Sequence, residues 1–164
     1  MATYLKSLSD FSHLEVASAE NFKFGIVVAQ WNVAITGALY DGAYQLLLDK
    51  KVSPDNIKTI QVPGSFELIS GADILLNDTS LDAVICLGCV IQGETRHFDF
   101  ICDAVANGIA NVSIKYNKPV IFGVLTTDNQ QQAEERAGGI HGNKGEEAAI
   151  TAIQMAHIRA TLTK

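Results

Sequence analysis

Trp31, the only tryptophan of the chain, is followed by Asn32. An indole face beside an amide is a platform for a planar ring with a hydrogen-bonding edge. A second cluster, Pro63-Gly64-Ser65-Phe66-Glu67, joins a turn glycine to a hydroxyl and a carboxylate. A third, Gln92-Gly93-Glu94-Thr95-Arg96-His97, sets a glycine turn ahead of a histidine. If a helix opens there, its free N–H groups suit a phosphate. His97 beside such an anion can take or give a proton near neutral pH. Arg136 and Lys144 flank the glycine-rich stretch Gly138-Gly139-Ile140-His141-Gly142-Asn143-Lys144-Gly145 and supply cations for an anionic ligand. Each residue also has a plainer reading: a packing tryptophan, a satisfied helix-start histidine, solvated surface cations. What favours a site is that Trp31, Asn32, His97, the carboxylates and the turn glycines gather at the ends of apolar runs.

Two nucleotide-binding patterns are absent. Lys144 stands between Asn143 and Gly145 with no Ser or Thr following, which fails the phosphate-loop pattern. The residues after the first apolar run, AQWNVAITG, lack G-x-G-x-x-G. Cys86-Leu87-Gly88-Cys89 matches C-x-x-C but lies within an apolar run. Strand residues three apart point to opposite faces, so two buried core thiols are expected rather than a redox pair. No second Cys/His pair completes a zinc set, and no metal is predicted.

The elements that must position these residues follow from periodicity. Four short runs, Phe24–Ala29, Ile57–Val62, Ala83–Ile91 and Val120–Thr126, read as strands. All but the second are β-branched and nearly continuous, the pattern of strands covered on both faces. The second is more polar and suits an edge. Apolar stripes predict helices over Ile35–Asp49, Phe66–Leu76, His97–Tyr116, Gln130–Ala137 and Glu146–Leu162. Gly138-Gly139 is the expected stop of the fourth, and Asn143 is a cap for the last. The order β-α-β-α-β-α-β-α-α, with right-handed crossovers, predicts a parallel sheet between two helical layers. Ligands of such sheets bind beyond the carboxyl ends of the strands, where the three clusters fall. Residues 1–21 match no helix stripe and are expected to be disordered or to lie along another surface as an arm. With no repeat or linker, residues 1–164 are expected to form one domain.

Composition bounds the partners. The chain has 164 residues, 48 % of them apolar and 18 % charged, which excludes a disordered chain. Lys and Arg number 12 against 18 Asp and Glu, a net charge of −6, so non-specific nucleic-acid binding is not expected. No apolar run reaches the ~18 residues of a membrane span. Three cysteines and an N-terminus without a basic segment and an apolar core point to a cytoplasmic protein.

Five pieces in order, spread over roughly residues 22–160, carry a resemblance. They are Trp31-Asn32; Val62-Pro63-Gly64-Ser65-Phe66-Glu67; Leu87 through Phe98, LGCVIQGETRHF; Phe122-Gly123-Val124-Leu125-Thr126-Thr127; and Glu135-Arg136-Ala137-Gly138 with Gly142-Asn143-Lys144-Gly145. The chain resembles the lumazine synthases of riboflavin biosynthesis. The resemblance implies a flavodoxin-like three-layer α/β/α sandwich with a four-stranded parallel sheet. It implies a transferase that condenses 5-amino-6-(D-ribitylamino)uracil with 3,4-dihydroxy-2-butanone 4-phosphate. The products are 6,7-dimethyl-8-ribityllumazine, phosphate and water, with no cofactor or metal. It also implies pentamers, with a 60-subunit icosahedral capsid favoured over the free pentamer, and riboflavin synthase as a candidate partner.

Carried over position by position, Trp31 stacks on the pyrimidine, and Asn32, Ser65 and Glu67, with Gly64 in their turn, hold the ring edge and ribityl chain. Val90 and Ile91 line the pocket. Gly93, Glu94 and Thr95 offer backbone N–H groups to the phosphate, and His97 transfers protons. Phe122, Arg136 and Lys144 come from the adjacent subunit, Arg136 pairing with the phosphate. Some positions depart from the common pattern. Glu94 and Arg96 are charged, and their opposite signs can compensate. The role of His141 is open. Ser65 is often Ala in relatives, so its backbone is expected to matter more than its hydroxyl. A non-catalytic flavin or lumazine binder and a purely structural shell protein are the competing readings.

Overall fold

In the computed structural model, the described residues are 7, 9–11, 16–77 and 80–162. The sheet contains β1 (Phe24–Ala29), β2 (Ile57–Val62), β3 (Ala83–Ile91) and β4 (Val120–Thr127), all parallel, in the order β2-β1-β3-β4. That order is shared by flavodoxin-like doubly wound sheets. The polar run is an edge strand, as its composition requires, and β3 lies at the centre, buried along most of its length.

Alternation along the strands feeds two cores. Phe24, Ile26, Ile85 and Leu87 point toward α1 (Val33–Asp49) and α5 (Lys144–Leu162), packing with Leu39, Ala149 and Ile153. Val27, Val84 and Cys86 point the other way, toward α2 (Leu68–Leu76) and α3 (His97–Tyr116), packing with Leu68, Leu75, Val105 and Ile109. Cys86 and Cys89 thus lie in different cores, as strand alternation dictates.

Several boundaries differ from expectation, the smallest difference being β4, which ends at Thr127 instead of Thr126. Helix α1 starts at Val33, ahead of its apolar stripe, because Asn32 adopts a left-handed conformation (φ 59°) and turns the chain directly off β1. Asparagine tolerates that region better than most residues. Helix α2 starts at Leu68, since Ser65 to Glu67 form the turn that leaves β2. The helix expected over Gln130–Ala137 is α4 (Gln130–Glu135), two residues shorter. Instead of a helix stop, the glycines form an antiparallel ribbon of β5 (Ala137–Gly139) and β6 (Gly142–Asn143). Gly138 and Gly142 have φ of 109° and 80°, a region in which side chains are strained, so the ribbon depends on both.

Asn143 ties this ribbon to the body. Its Oδ1 accepts from the Gly145 N–H at 2.8 Å, capping α5, and its Nδ2 donates to the Ala38 carbonyl at 2.9 Å. The cap starts α5 at Lys144, two residues before the expected Glu146.

The described part of the N-terminal stretch lies on its own chain. Ala19 is fully buried and its N–H donates to the Lys50 carbonyl, while His157 Nε2 lies 3.1 Å from the Ser18 carbonyl oxygen. The Ser9 hydroxyl accepts from the Asn143 N–H. The rest of the expected arm, residues 1–6, 8 and 12–15, lies outside the described residues. Among the described residues no helix is long and apolar enough to cross a membrane.

Candidate active site

A doubly wound sheet splits at the point where chain connections reverse direction, here between β1 and β3. A cavity of about 700 Å³ opens there. Three strand ends and the start of α3 build it. Trp31 and Asn32 follow β1, residues Pro63 to Glu67 follow β2, Cys89, Val90 and Ile91 end β3, and His97 and Ile101 come from α3. The volume lies within the range of small-molecule sites.

Local chemistry holds each wall. The Asn32 amide donates to the Cys89 carbonyl at 3.1 Å and so joins the ends of β1 and β3. The Gln30 and Trp31 N–H groups donate to the Val62 and Pro63 carbonyls, carrying the β1–β2 pairing into the cavity rim. Trp31 is 73 % exposed and Phe66 50 %, so two aromatic faces are open to a ligand. Ser65 is buried and Glu67 half-buried. His97 is the first residue of α3 and stands exposed at its N-terminus, its N–H donating to the Thr95 hydroxyl at 3.4 Å. A stacking face, amide and carboxylate hydrogen-bonding groups and a histidine at a helix N-terminus thus share one cavity. They suit a planar polar ring and proton transfer beside an anion.

The thiols serve packing. Burial pushes Cys86 up to about 12 and Cys89 up to about 11, so both stay protonated and neither is a nucleophile at neutral pH.

A family model described as 6,7-dimethyl-8-ribityllumazine synthase matches residues 21–160. The chain belongs to the 6,7-dimethyl-8-ribityllumazine synthase family. Proteins of that name include one from Cytophaga hutchinsonii, 59 % identical over 155 residues, covering 94 % of this chain and 97 % of that protein. The one from Flavobacterium johnsoniae is 53 % identical over 159 residues, 97 % of this chain and 84 % of its own length. The one from Parabacteroides distasonis is 50 % identical over 160 residues, 98 % of this chain and all of its own.

Of the positions matched to lumazine synthase motifs, the cavity gathers Trp31, Asn32, Gly64, Ser65, Glu67, Val90, Ile91 and His97. Gly93, Glu94 and Thr95 form the exposed turn between β3 and α3 and do not line the cavity. Phe122, Arg136 and Lys144 do not line this cavity. Phe122 packs half-buried against the α2–α3 core. Arg136 donates to the Gln132 carbonyl at 2.9 Å and lies 3.8 Å from the Glu135 carboxylate, and Lys144 pairs with Glu147 at 2.6 Å. Arg96 pairs with Asp99 at 3.5 Å and lies over the Phe100 ring. His141 stands 3.8 Å from Glu135, whose carboxylate it shares with Arg136.

Four lining residues were not foreseen as site residues: Pro63, Phe66, Cys89 and Ile101. Two had a signal. Cys89 shares a strand face with Ile91, and Ile101 lies one helical turn beyond His97.

Proposed function

We propose that the chain condenses 5-amino-6-(D-ribitylamino)uracil with 3,4-dihydroxy-2-butanone 4-phosphate, giving 6,7-dimethyl-8-ribityllumazine and orthophosphate in riboflavin biosynthesis. The observation that carries this reading is the cavity at the β1–β3 split. It unites Trp31, Asn32, Glu67 and His97 from separate loops in a chain of this family. Trp31 stacks on the pyrimidine, while Asn32, Glu67 and the Gly64–Ser65 turn hold its edge and the ribityl chain. The N–H groups of Gly93, Glu94 and Thr95 receive the phosphate at the start of α3. The 5-amino group attacks the ketone and loses water to form an imine. Phosphate then leaves by elimination, and the ribitylamino nitrogen closes the second ring with loss of another water. His97 moves protons in these steps. Holding both substrates in register supplies much of the acceleration, since no strong nucleophile is needed.

Phe122, Arg136 and Lys144 complete the site from a neighbouring subunit. Two facts support this: none of them lines the cavity of its own chain, and the cavity's aromatic residues Trp31 and Phe66 are exposed at its mouth. The assembly is a pentamer, with the 60-subunit shell favoured over the free pentamer, acting in the cytoplasm as a single-domain protomer. Riboflavin synthase, which takes the lumazine product, is a partner. Mixing the protein with both substrates and following lumazine absorbance tests the reaction. Chromophore formation well above the protein-free mixture is expected, and binding without turnover would instead favour a passive lumazine carrier. Light scattering is expected to give a pentamer or larger, and a monomer would contradict the shared site.

A further inference from the structure

Glu135 and Arg136 are adjacent in sequence, and on a continuous helix adjacent side chains do not face each other. They meet because α4 ends at Glu135 and Arg136 leaves the helical path, with φ −108° and ψ 1°. The Arg136 guanidinium then turns back on α4. Its Nη1 donates to the Gln132 carbonyl at 2.9 Å and lies 3.8 Å from Glu135 Oε2. The ribbon returns His141 to the same place. The His141 N–H donates to the Glu135 carbonyl at 2.9 Å, and its ring Nε2 lies 3.8 Å from Glu135 Oε2. Gly139 permits this approach, since a Cβ there would stand 2.7 Å from Glu135 Cα. The other carboxylate oxygen, Oε1, accepts from Gln131 Nε2 at 2.9 Å. The side chains of Glu135, Arg136 and His141 are 22 %, 25 % and 18 % exposed, so the group is better shielded from water than a surface pair. Both Arg136 contacts engage Nη1. Among the described residues the guanidinium makes no other such contact, which leaves its Nε and Nη2 N–H groups as a fork for two oxygens of one anion.

By its charge, a carboxylate beside an anion-binding arginine opposes the anion. The geometry gives Glu135 an opposite effect. We propose that Glu135 and His141 are positioning residues for Arg136. They fix Nη1 against the end of α4, so that the Nε–Nη2 edge is offered to the substrate phosphate in the neighbouring subunit's site. An unheld arginine samples many rotamers, and ordering it on binding weakens affinity. This rests on the reaction and the shared site proposed above, and it gives His141 a role that the resemblance left open.

The assembled protein is titrated with orthophosphate by calorimetry, which needs no turnover, and the KM of each substrate is read from lumazine absorbance. Glu135→Gln should weaken orthophosphate affinity and raise the KM of the phosphate substrate about three- to thirtyfold, within the range of coupling between residues in contact. Pyrimidine affinity, read by Trp31 quenching, should not move, whereas a general loosening of the fold would weaken both. His141→Ala should act in the same direction. His141→Gln, whose amide N–H can stand in for the ring Nε2, should recover most of that loss. Added to Arg136→Ala, Glu135→Gln should cost nothing further, because its effect passes through the arginine. Tighter orthophosphate binding by Glu135→Gln would overturn the proposal, since the carboxylate would then only compete with phosphate for the guanidinium. Unchanged affinity in the folded variant, or an additive loss in the double variant, would overturn it too. Wild-type affinity in His141→Ala would remove His141 from the device. Arg136→Ala with wild-type orthophosphate affinity would overturn the phosphate role of Arg136 itself. A wild-type protein that binds orthophosphate but forms no chromophore would overturn the reaction instead, and the titrations would still decide Glu135 and His141.

Discussion

Replacing Trp31 separates a binding role from a packing role with one reporter. The indole is 73 % exposed, so about a quarter of its surface is covered. Taking ~250 Å² for a tryptophan side chain gives roughly 70 Å² of covered area. At ~25 cal/mol per Å² that area contributes no more than about 2 kcal/mol to folding. Stacking on a pyrimidine is worth ~1–3 kcal/mol, or about 5- to 150-fold in Kd. Trp31→Ala is therefore expected to lower the melting temperature by only a few degrees and to weaken pyrimidine binding by a factor in that range. Trp31→Phe keeps a flat face and should lose little affinity. In the wild type, titration with the pyrimidine substrate should quench the single tryptophan emission after correction for inner-filter absorption. Calorimetric titration reports affinity for the variants. Normal affinity in folded Trp31→Ala, or unquenched emission at saturating ligand, would refute the site built around the end of β1.

His97→Ala is expected to slow turnover while keeping pyrimidine affinity. The loss should lie at or below the ~10²–10⁴-fold usual for a positioned acid–base group, because substrate orientation survives; an unchanged rate removes His97 from the chemistry. Arg136→Ala should raise the KM for the phosphate substrate by about 10- to 150-fold, the scale of a lost charge-assisted hydrogen bond. Subunits carrying Arg136→Ala, dissociated and reassembled with His97→Ala subunits, should regain activity, and no recovery despite demonstrated mixing would contradict a site shared between neighbours. Of the three cysteines, Cys86 and Cys89 are buried with raised pKa values of about 12 and 11, whereas half-buried Cys102 is raised by burial and by Asp103 and Asp99. Iodoacetamide at pH 8 should therefore label at most Cys102 in the folded protein and all three after denaturation, as read by mass spectrometry.

The strands were legible because a central parallel strand is buried on both faces and must be apolar throughout. Ala83–Ile91 and Phe24–Ala29 begin and end where the apolar runs do, and α3 begins at His97 where its stripe begins. The clusters at the strand ends followed from topology alone, which carries the ends of β1, β2 and β3 to one edge. Less legible were features fixed by single backbone conformations. The left-handed Asn32 starts α1 early, and Gly138 and Gly142 bend a ribbon too short to show a period. Side-chain pairing was hidden as well: Arg96 bonds Asp99, a helical i, i+3 partner, rather than Glu94. Ser65 shows the same limit: a Cβ on Gly88, distant in sequence, would stand 2.7 Å from its hydroxyl, and only the fold brings the two together.

The central claim, that this cavity joins the two substrates with loss of phosphate, is tested most directly by one progress curve. Purified protein is mixed with both substrates while lumazine absorbance and orthophosphate are recorded together. The account predicts equal molar yields of chromophore and orthophosphate, formed at a rate proportional to protein concentration and well above the protein-free mixture. Chromophore and phosphate rising no faster than in the protein-free mixture would contradict it.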